Sequence, residues 1–228
     1  MECSVAIITV ASAKGGVGKS TLSLVVATTL ARRGASVAIV DCDPNRNLVT
    51  WRAGPSKSTV AVISDVDSST IARVLRDTAS TYQFVIADLE GTASMTVGSA
   101  TLASDLVVIP ARGSIMDATQ ARRTIAFIED QGAAIGRAIP FRISFTCTKP
   151  GFATRDEKMI RQKLKTNGLP MLQNDLAERA AYRSMFTYRL SIEELDCGRV
   201  AGLDKALANA NALTDEIIST LRANREAA

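Results

Sequence analysis

The stretch Lys14-Gly15-Gly16-Val17-Gly18-Lys19-Ser20-Thr21 decides the fold of this chain. It follows an apolar run, residues 5–10, and precedes a segment, residues 22–33, whose apolar spacing predicts a helix. A strand, a glycine-rich loop and a Lys-Ser pair that opens a helix form the context of a phosphate-binding loop. The glycines allow backbone N–H groups to surround phosphate oxygens, and the helix N-terminus adds positive potential. We therefore predict that Lys19 contacts the β- and γ-phosphates of a nucleotide and that the Ser20 hydroxyl binds Mg²⁺.

Two positions of this loop depart from the common G-x-x-x-x-G-K-[ST] pattern. Ala13 stands where the pattern has its first glycine, and Lys14 adds a second lysine just inside the loop. Lys14 is either a solvated loop side chain or a cation used beside bound phosphates. Because one loop does not need two lysines on the same phosphate, we favour a lysine that reaches the nucleotide of a facing subunit. This interpretation predicts a dimer with nucleotide sandwiched between its subunits.

The composition is that of a globular protein and excludes several kinds of site. The chain has 228 residues, enough for one well-buried α/β domain, with 46% hydrophobic and 22% charged residues. There is no histidine, which excludes histidine acid–base catalysis, histidine metal sites and a Ser-His-Asp triad. Aromatic residues make up only 4%, so a nucleic-acid surface built on base stacking is not expected.

Cysteine spacing and hydropathy predict a cytoplasmic protein without a membrane partner. The cysteines form no C-x-x-C pair and do not resemble a secreted disulfide framework; they are Cys3, Cys42, Cys147 and Cys197. No apolar run approaches the roughly 20 residues of a membrane span, and the N-terminus lacks the basic segment of a signal peptide. Residues 203–225 predict a packing helix, because they lack the Lys-rich polar face of a membrane-surface helix.

Positive charge is concentrated in the second half of the chain. Residues 137–189 contain 11 Lys and Arg against 4 Asp and Glu, a net charge of +7. Such a concentration is either a solubilising face or the contact surface of a polyanion. We favour the polyanion, because the rest of the chain carries no comparable excess.

Short apolar runs alternate with amphipathic segments along the whole chain. The runs predict strands at residues 5–10, 36–40, 60–63, 84–87, 106–109, 141–146 and 170–172. The amphipathic segments predict helices at residues 20–33, 68–80, 96–103, 117–131, 154–167, 176–186 and 202–223. Nearly continuous apolar strands are buried on both faces, so we predict an α/β fold with a doubly wound, mainly parallel sheet flanked by helices on both faces. No repeat or linker interrupts the pattern, and we expect one domain spanning residues 1–228.

Glycines and one tryptophan refine this prediction locally. Gly34, Gly132 and Gly168 each follow a helical pattern, as C-terminal cap glycines do. The longest irregular piece is residues 44–58, within which Trp51 predicts a short anchored helix.

Carboxylates follow two of the predicted strands. The second strand ends in Asp41-Cys42-Asp43-Pro44 and the fourth in Ala87-Asp88-Leu89-Glu90. Both strand ends of a parallel sheet face the crevice that holds the phosphate loop. Asp88 fits the acid that holds the water shell of Mg²⁺. Asp41 and Asp43 project to the same side of an extended segment, so one can anchor the metal shell and the other can position the attacking water, unless Asp41 only caps the loop. Glu90 lies one residue further along than a general base would, which favours a loop or partner contact.

These motifs together resemble the ParA/MinD superfamily of ATPases with a deviant phosphate loop (deviant Walker A). The resemblance extends to Val108-Ile109-Pro110 and to Asp117 on the next helix, and it spans nearly the whole chain. It implies a slow, partner-stimulated ATPase with Mg²⁺ as cofactor and ATP and ADP as its nucleotides. It also implies that Lys14 acts across an ATP-sandwich dimer and that Asp43 governs water positioning and switching. The implied catalytic residues are Lys14, Lys19, Asp43 and Asp88, and the implied magnesium residues are Ser20, Asp41, Asp43 and Asp88.

Within that superfamily, the chain is similar to the small ParA subgroup and to VirC-type relatives that assist conjugative DNA transfer. Asn45 stands where Gln usually follows Asp-Pro, and Leu89-Glu90-Gly91 stands where Pro-Pro is frequent. These departures weaken an assignment to chromosome partition and leave the ATPase prediction intact.

The resemblance implies an ATP-state dimer that binds DNA without sequence preference and releases it on hydrolysis, associated with the bacterial nucleoid. The candidate DNA contacts are Arg179, Arg183, Arg189 and Arg199, with Lys163 and Lys165 less favoured. Adenine contacts are expected from residues 146–149, including Thr148, and from the segment after Leu172.

Alternatives of other classes remain open. The same chemistry could position a protein cargo, or it could serve as a scaffold that recruits a relaxase complex. An iron–sulfur reductase is disfavoured because residues 89–146 contain no cysteine. A small-molecule ligase is disfavoured by Lys14 and by the basic second half of the chain.

Overall fold

The computed structural model describes residues 5–90 and 95–226. Cys3 and Gly91, which were considered above, lie outside the described residues. The described residues form a seven-stranded sheet in the order β3-β2-β4-β1-β5-β6-β7, and all paired strands are parallel. The strands are β1 (Ala6–Val10), β2 (Val37–Asp41), β3 (Ala61–Ile63), β4 (Phe84–Asp88), β5 (Leu106–Ala111), β6 (Phe141–Thr148) and β7 (Leu176–Ala177).

Helices connect the strands and cover both faces of the sheet. They are α1 (Lys19–Arg32), α2 (Asn47–Arg52), α3 (Ile71–Ala79), α4 (Met95–Leu102), α5 (Ile115–Ala134), α6 (Arg155–Thr166), α7 (Ala180–Tyr188) and α8 (Leu203–Glu226), with a 3₁₀ helix at Ile192–Glu194. In the part of the chain that is described, no helix is both long and apolar enough to cross a membrane. The predicted doubly wound α/β fold is confirmed.

Two hydrophobic cores form because successive strand residues point to opposite faces of the sheet. Ile8 and Val10 of β1 pack into the core under α1, α2, α7 and α8. Ile7 of the same strand packs into the core under α3, α4, α5 and α6. The nearly continuous apolar strands are therefore explained by burial on both faces.

The position of β1 in the sheet sets the place of the site. Ile8 of β1 is paired with Ile86 of β4 on one side and with Leu106 of β5 on the other. The chain moves from β1 to β2 on one side and later to β5 on the other, so a crevice opens beyond the carboxyl end of β1. This is where doubly wound sheets bind their ligands.

The edge of the sheet near β7 differs from the prediction. The strand predicted at residues 170–172 is wrong, since only an isolated bridge joins Met171 to Ile143. The backbone N–H groups of Gln173 and Asn174 instead donate to the carboxylate of Glu216 on α8, at 2.6 and 2.7 Å, which removes them from the sheet ladder. The ladder resumes as β7, so the helix predicted from residue 176 begins at Ala180.

One of the three predicted cap glycines is also wrong. Gly34 and Gly168 have φ angles of 88° and 67° and follow their helices as predicted. Gly132 lies inside α5, and a Cβ there would meet the carbonyl oxygen of Arg137 at 2.7 Å. Close packing, not a left-handed turn, therefore accounts for this glycine.

The predicted anchoring role of Trp51 is confirmed. Trp51 lies on α2, is buried, and donates from its indole nitrogen to the carbonyl oxygen of Leu190 at 3.1 Å. Gly54 follows, and a Cβ there would lie 2.2 Å from the Cβ of Arg189, which has a left-handed φ of 53°. The segment after β2 is thus docked tightly on the end of α7.

This docking predicts the outcome of a double-mutant cycle. Gly54→Ala should destabilise the protein by about 1–3 kcal/mol, because overpacking displaces Arg189. Arg189→Gly should be neutral or stabilise by about 1 kcal/mol, because it relieves a left-handed backbone. The double variant should recover most of the Gly54→Ala loss. Urea unfolding followed by the fluorescence of Trp51, the only tryptophan, measures all three; additive effects would contradict the proposed contact.

Candidate active site

The phosphate loop lies between β1 and α1, as the sequence predicts. Gly18 is the N-terminal cap of α1 with a left-handed φ of 92°, and Gly16 has a φ of 72°. Only glycine adopts these angles without strain, and they turn successive N–H groups toward the crevice. Lys19 is the first residue of α1 and is buried. The loop therefore has the backbone form of an anion-binding site.

Neighbouring strands hold this loop from the outside. The hydroxyl of Thr146 on β6 donates to the carbonyl oxygen of Val17 at 2.6 Å. The guanidinium of Arg112, directly after β5, donates to the carbonyl oxygen of Gly16. Because these contacts use carbonyl oxygens, they do not occupy the N–H groups of the loop.

Lys14 makes an ion pair within its own chain. Its ammonium group lies 2.7 Å from a carboxylate oxygen of Asp117 on α5. Asp117 is buried, and its other oxygen bonds the hydroxyl of Ser114, the N-terminal cap of α5. Within its own chain Lys14 thus contacts α5, and its contact with a facing subunit stays a prediction.

Asp88 is fully buried at the end of β4, beside the phosphate loop. One carboxylate oxygen accepts from the hydroxyl of Ser23 at 3.0 Å, and the other has no partner among the described residues. The pKa of Asp88 is raised to about 7, chiefly by burial and also by the charge of Asp41, while the Ser20 and Ser23 hydroxyls and Lys19 oppose the rise. An unpartnered buried carboxylate oxygen is costly unless a cation or a proton compensates it.

These residues fit a magnesium ion. Mg²⁺ keeps most of its water and takes few protein ligands beside substrate phosphates. Among residues 5–90 and 95–226, no three or more Asp, Glu, Cys or His side chains gather into a protein-only metal cage. The unpartnered oxygen of Asp88 and the nearby Ser20 hydroxyl fit an ion held mainly by phosphates and water.

Asp41 has a capping geometry. One of its oxygens accepts from the N–H of Asp43 at 3.2 Å, and the other accepts from the N–H groups of Leu48 and Val49, each at 3.2 Å. These bonds fix the start of α2, where a negative charge is favourable. Burial raises the pKa of Asp41, although these backbone bonds oppose the rise. The geometry therefore favours loop capping over a direct metal role for Asp41.

Asp43 and Glu90 line the crevice. An oxygen of Asp43 accepts from both the backbone and the side-chain nitrogen of Asn45, each at 2.8 Å. With the phosphate-loop residues and Arg112, both acids border a cavity of about 710 Å³. Asp43 is thus oriented by its own turn, with its carboxylate at the wall of the crevice.

The four arginines predicted to contact DNA lie in three local settings, and their contact with DNA stays a prediction. Arg179 and Arg183 line the cavity, on the side formed by α7. Arg189 ends α7 beside Gly54, and Arg199 lies on an exposed loop 3.4 Å from Asp196. The two lysines, Lys163 and Lys165, lie in the last turn of α6.

Thr148 and Cys147, both in the segment expected to contact adenine, lie in different settings. Thr148 is buried, and its carbonyl oxygen accepts from the N–H of Glu178 at 2.8 Å. Cys147, which has a left-handed φ of 55°, lines the cavity instead.

Cys147 belongs to residues 146–149, the segment expected to contact adenine, whereas Arg112 and Tyr182 also line the cavity and were missed in the sequence. Arg112 directly follows β5, so inspection of every strand end would have found it.

The buried Asp88 predicts a pH-dependent stability. Because its folded-state pKa lies above the unfolded value, wild-type protein without nucleotide or Mg²⁺ should lose stability as the pH rises from 5 to 8. Asp88→Asn has no carboxyl group to ionise at this position, so at pH 8 its free energy of unfolding should exceed that of wild type by a few kcal/mol. Urea unfolding at several pH values measures the difference.

Asp67→Asn serves as the matched control. Hydrogen bonds from Ser69 and Thr70 lower the pKa of this exposed acid to about 2, so it stays ionised in both states from pH 5 to 8. Its difference from wild type should not change over that range. If the difference in unfolding free energy between wild type and Asp88→Asn also stayed constant from pH 5 to 8, the raised pKa of the buried Asp88 would be contradicted.

Sequence comparisons agree with this geometry. A family model described as VirC1 protein matches residues 5–223. Protein ParA of Rhizobium radiobacter is 34% identical over 220 residues, which cover 95% of this chain and 99% of that protein. Protein virC1 of the same organism is 25% identical over 185 residues, covering 78% of this chain and 79% of that protein.

Solved structures share the fold at low sequence identity. Apo McdA of Cyanothece matches with a TM-score of 0.73 at 16% identity, covering 91% of this chain and 99% of that one. The septum site-determining protein MinD of Pyrococcus horikoshii, complexed with Mg-ADP, matches with a TM-score of 0.71 at 16% identity, covering 93% and 96%. The chain therefore belongs to the VirC1 family, within the ParA/MinD group of partition and positioning ATPases.

Proposed function

We propose that this protein is an ATPase switch that dimerises around ATP, binds DNA without sequence preference in that state, and releases it on hydrolysis. The observation that carries the proposal is Lys14, a second lysine at a phosphate loop that already has Lys19. In this structure Lys14 forms a 2.7 Å ion pair with Asp117, which holds its ammonium group on α5.

Nucleotide binding follows from the loop and its two neighbours. Backbone N–H groups from Gly15 to Gly18 surround the phosphates, Lys19 contacts the β- and γ-phosphates, and Thr21 adds a hydroxyl near the helix start. Ser20 and Asp88 hold Mg²⁺, which when bound neutralises charge on the phosphate oxygens. Support comes from the unpartnered oxygen of Asp88 and from the Mg-ADP in the structurally similar MinD.

Hydrolysis requires a positioned water. Asp43, oriented by its turn with Asn45, accepts a hydrogen bond from that water and directs its oxygen at the γ-phosphorus. The bond from this phosphorus to the bridging oxygen breaks, and ADP and phosphate remain. With no histidine in the chain and only this positioning, we expect slow turnover that a partner protein stimulates.

Dimerisation exchanges one ion pair for another. Lys14 is partly exposed but Asp117 is buried, so moving Lys14 away leaves a buried carboxylate unpaired, a cost that dimer contacts must offset. A triphosphate in a facing subunit offers more negative charge in a drier setting, which makes assembly depend on the γ-phosphate. Four large apolar side chains around the same strand-end edge, between 63% and 79% exposed, support a covered face; they are Met95, Ile115, Met116 and Phe152.

DNA binding is the next step of the proposal. Two copies of the basic region, residues 137–189 with net charge +7, come together in the dimer, so weak phosphate contacts become bivalent. We propose that the whole chain acts as one domain in the bacterial cytoplasm, associated with the nucleoid. Its role would be the partition or positioning of plasmid DNA, as the 34% identity to a ParA suggests.

A second candidate is an accessory of conjugative DNA transfer. The match of the VirC1 family model to residues 5–223 favours it. In that role the ATP-bound dimer would recruit a relaxase complex, acting more as a scaffold than as a motor. Co-purification with the relaxase or the centromere-binding protein encoded beside the gene separates the two roles.

Binding to a non-specific DNA duplex tests the switch. We expect binding with ATP and with a non-hydrolysable analogue, little with ADP, and at least about a tenfold loss of affinity between 50 and 200 mM salt. Lys14→Ala should abolish the ATP-dependent part, because the dimer no longer closes. Fluorescence anisotropy of a labelled duplex measures this.

The matched control removes an equal charge elsewhere. Arg73→Ala, on the exposed side of α3, should bind nearly as wild type. DNA binding that ignores the nucleotide would reject the switch, and absence of binding in every state would favour a protein cargo.

The arginines of the cavity wall and those outside it should behave differently. Arg199→Ala should weaken DNA binding on every sequence and lower the salt slope by about 0.9, with unchanged nucleotide affinity. Arg179→Ala should weaken nucleotide affinity as well, because Arg179 lines the cavity. Titration with a fluorescent ATP analogue separates these effects; equal behaviour of the two variants would contradict the assignment.

A further inference from the structure

We propose that Arg112 is a catalytic residue that acts within its own chain. Its guanidinium contacts the terminal phosphate of the nucleotide in its own phosphate loop and stabilises the charge that develops there during hydrolysis. The proposal rests on the proposed ATPase function and adds to it a second cation, distinct in position and in chemistry from Lys14.

The sheet brings Arg112 to the phosphate loop. Arg112 follows β5 directly, and β5 is the neighbour of β1, from which the loop departs. The pairing continues past β1, since the N–H of Ala11 donates to the carbonyl oxygen of Val108 at 3.1 Å. Arg112 then reaches the carbonyl oxygen of Gly16 in the middle of the loop and lines the 710 Å³ cavity.

The backbone around Arg112 is held while its side chain is exposed. The N–H of Ser114 donates to the carbonyl oxygen of Arg112 at 2.9 Å, which closes a tight turn. Gly113 packs on Glu157 so closely that a Cβ would lie 2.7 Å from the Cγ of Glu157. The backbone thus fixes where the exposed Arg112 side chain begins, and its guanidinium already lies at Gly16 on the wall of the cavity.

The charge of Arg112 is not compensated by a carboxylate, unlike the charges of Lys14 and Arg183 near the same crevice. Lys14 pairs with Asp117 and Arg183 pairs with Glu178. Within residues 5–90 and 95–226, Arg112 forms no ion pair with a carboxylate, and the Gly16 carbonyl oxygen is neutral. A guanidinium has five N–H donors, so the bond to Gly16 leaves donors for an anion in the loop.

The hydrolysis step creates negative charge that the Arg112 guanidinium could stabilise. The bond from water oxygen to the γ-phosphorus forms as the bond from that phosphorus to the bridging oxygen breaks. One water proton stays on the released phosphate and the other goes to solvent. Negative charge moves onto oxygens at the edge of the loop, where a planar guanidinium can donate two hydrogen bonds at once. An ammonium group cannot reproduce that geometry.

Kinetics and a transition-state analogue test the proposal. Arg112→Ala should lower kcat about 100-fold and lose most of the added affinity for ADP with aluminium fluoride. Its affinity for ADP alone should stay within about threefold of wild type. Arg112→Lys should recover only part of kcat, millimolar guanidinium should rescue Arg112→Ala, and Arg123→Ala, an exposed position on α5, should behave as wild type.

Two results would overturn it. Equal losses of ADP and ADP–aluminium fluoride affinity, without guanidinium rescue, would mean that Arg112 only braces the Gly16 carbonyl. An unchanged kcat would remove it from the reaction altogether.

Mixed dimers test whether Arg112 acts in its own chain. A dimer of Arg112→Ala with Lys14→Ala contains one site with neither cation and one complete site, if Lys14 acts across the dimer and Arg112 does not. Where size-exclusion chromatography shows that half of the ATP-state dimers are mixed, an equimolar mixture of the two inactive variants should therefore regain about a quarter of wild-type activity. No gain in activity from mixed dimers that have formed would reject the placement of Arg112 in its own chain. If the wild-type protein binds no nucleotide, both this inference and the proposed ATPase function are rejected. If the wild type is active and Arg112→Ala has the same kcat, only this inference is rejected.

Discussion

The buried carboxylate of Asp88 is the constraint on which the site depends. One of its oxygens has no partner, and burial raises its pKa to about 7. The ionised form of such a buried carboxylate is unfavourable unless a cation compensates its charge, so Asp88 favours the binding of a cation beside it. The parallel sheet creates this situation, because β4 ends beside the loop that carries Lys19 and Ser20. Stability and ligand binding are therefore linked at a single residue.

Three cationic side chains near this carboxylate differ in the contacts that compensate their positive charge. Lys19 is buried within the loop, Lys14 is neutralised by Asp117, and Arg112 bonds only a backbone carbonyl oxygen among its described contacts. A triphosphate entering the crevice changes the balance for all three. In the proposed cycle the nearest cations respond first, and Lys14 responds only when a second subunit arrives. Such an order would couple nucleotide binding to assembly.

Helix α7 links the nucleotide cavity to the basic region. Arg179 and Arg183 stand on the cavity wall, while Arg189 ends the same helix and packs on the segment that follows β2. That segment also carries Asp43, and its start is capped by Asp41. The segment that carries the proposed water-positioning acid thus packs on the end of α7 through Trp51 and Gly54.

The sequence by itself determined the phosphate loop, the parallel sheet and the strand-end acids, because periodicity and glycine placement act over a few neighbouring residues. It also indicated the anchoring of Trp51. It misplaced the strand before α7, because Glu216 captures backbone N–H groups from a helix more than forty residues away. Only the tertiary structure decided that Lys14 pairs with Asp117, that Asp41 caps α2, and that Arg112 and Tyr182 border the cavity. These are contacts between side chains brought together by strand order, and strand order depends on the packing of the whole sheet, which no local pattern encodes.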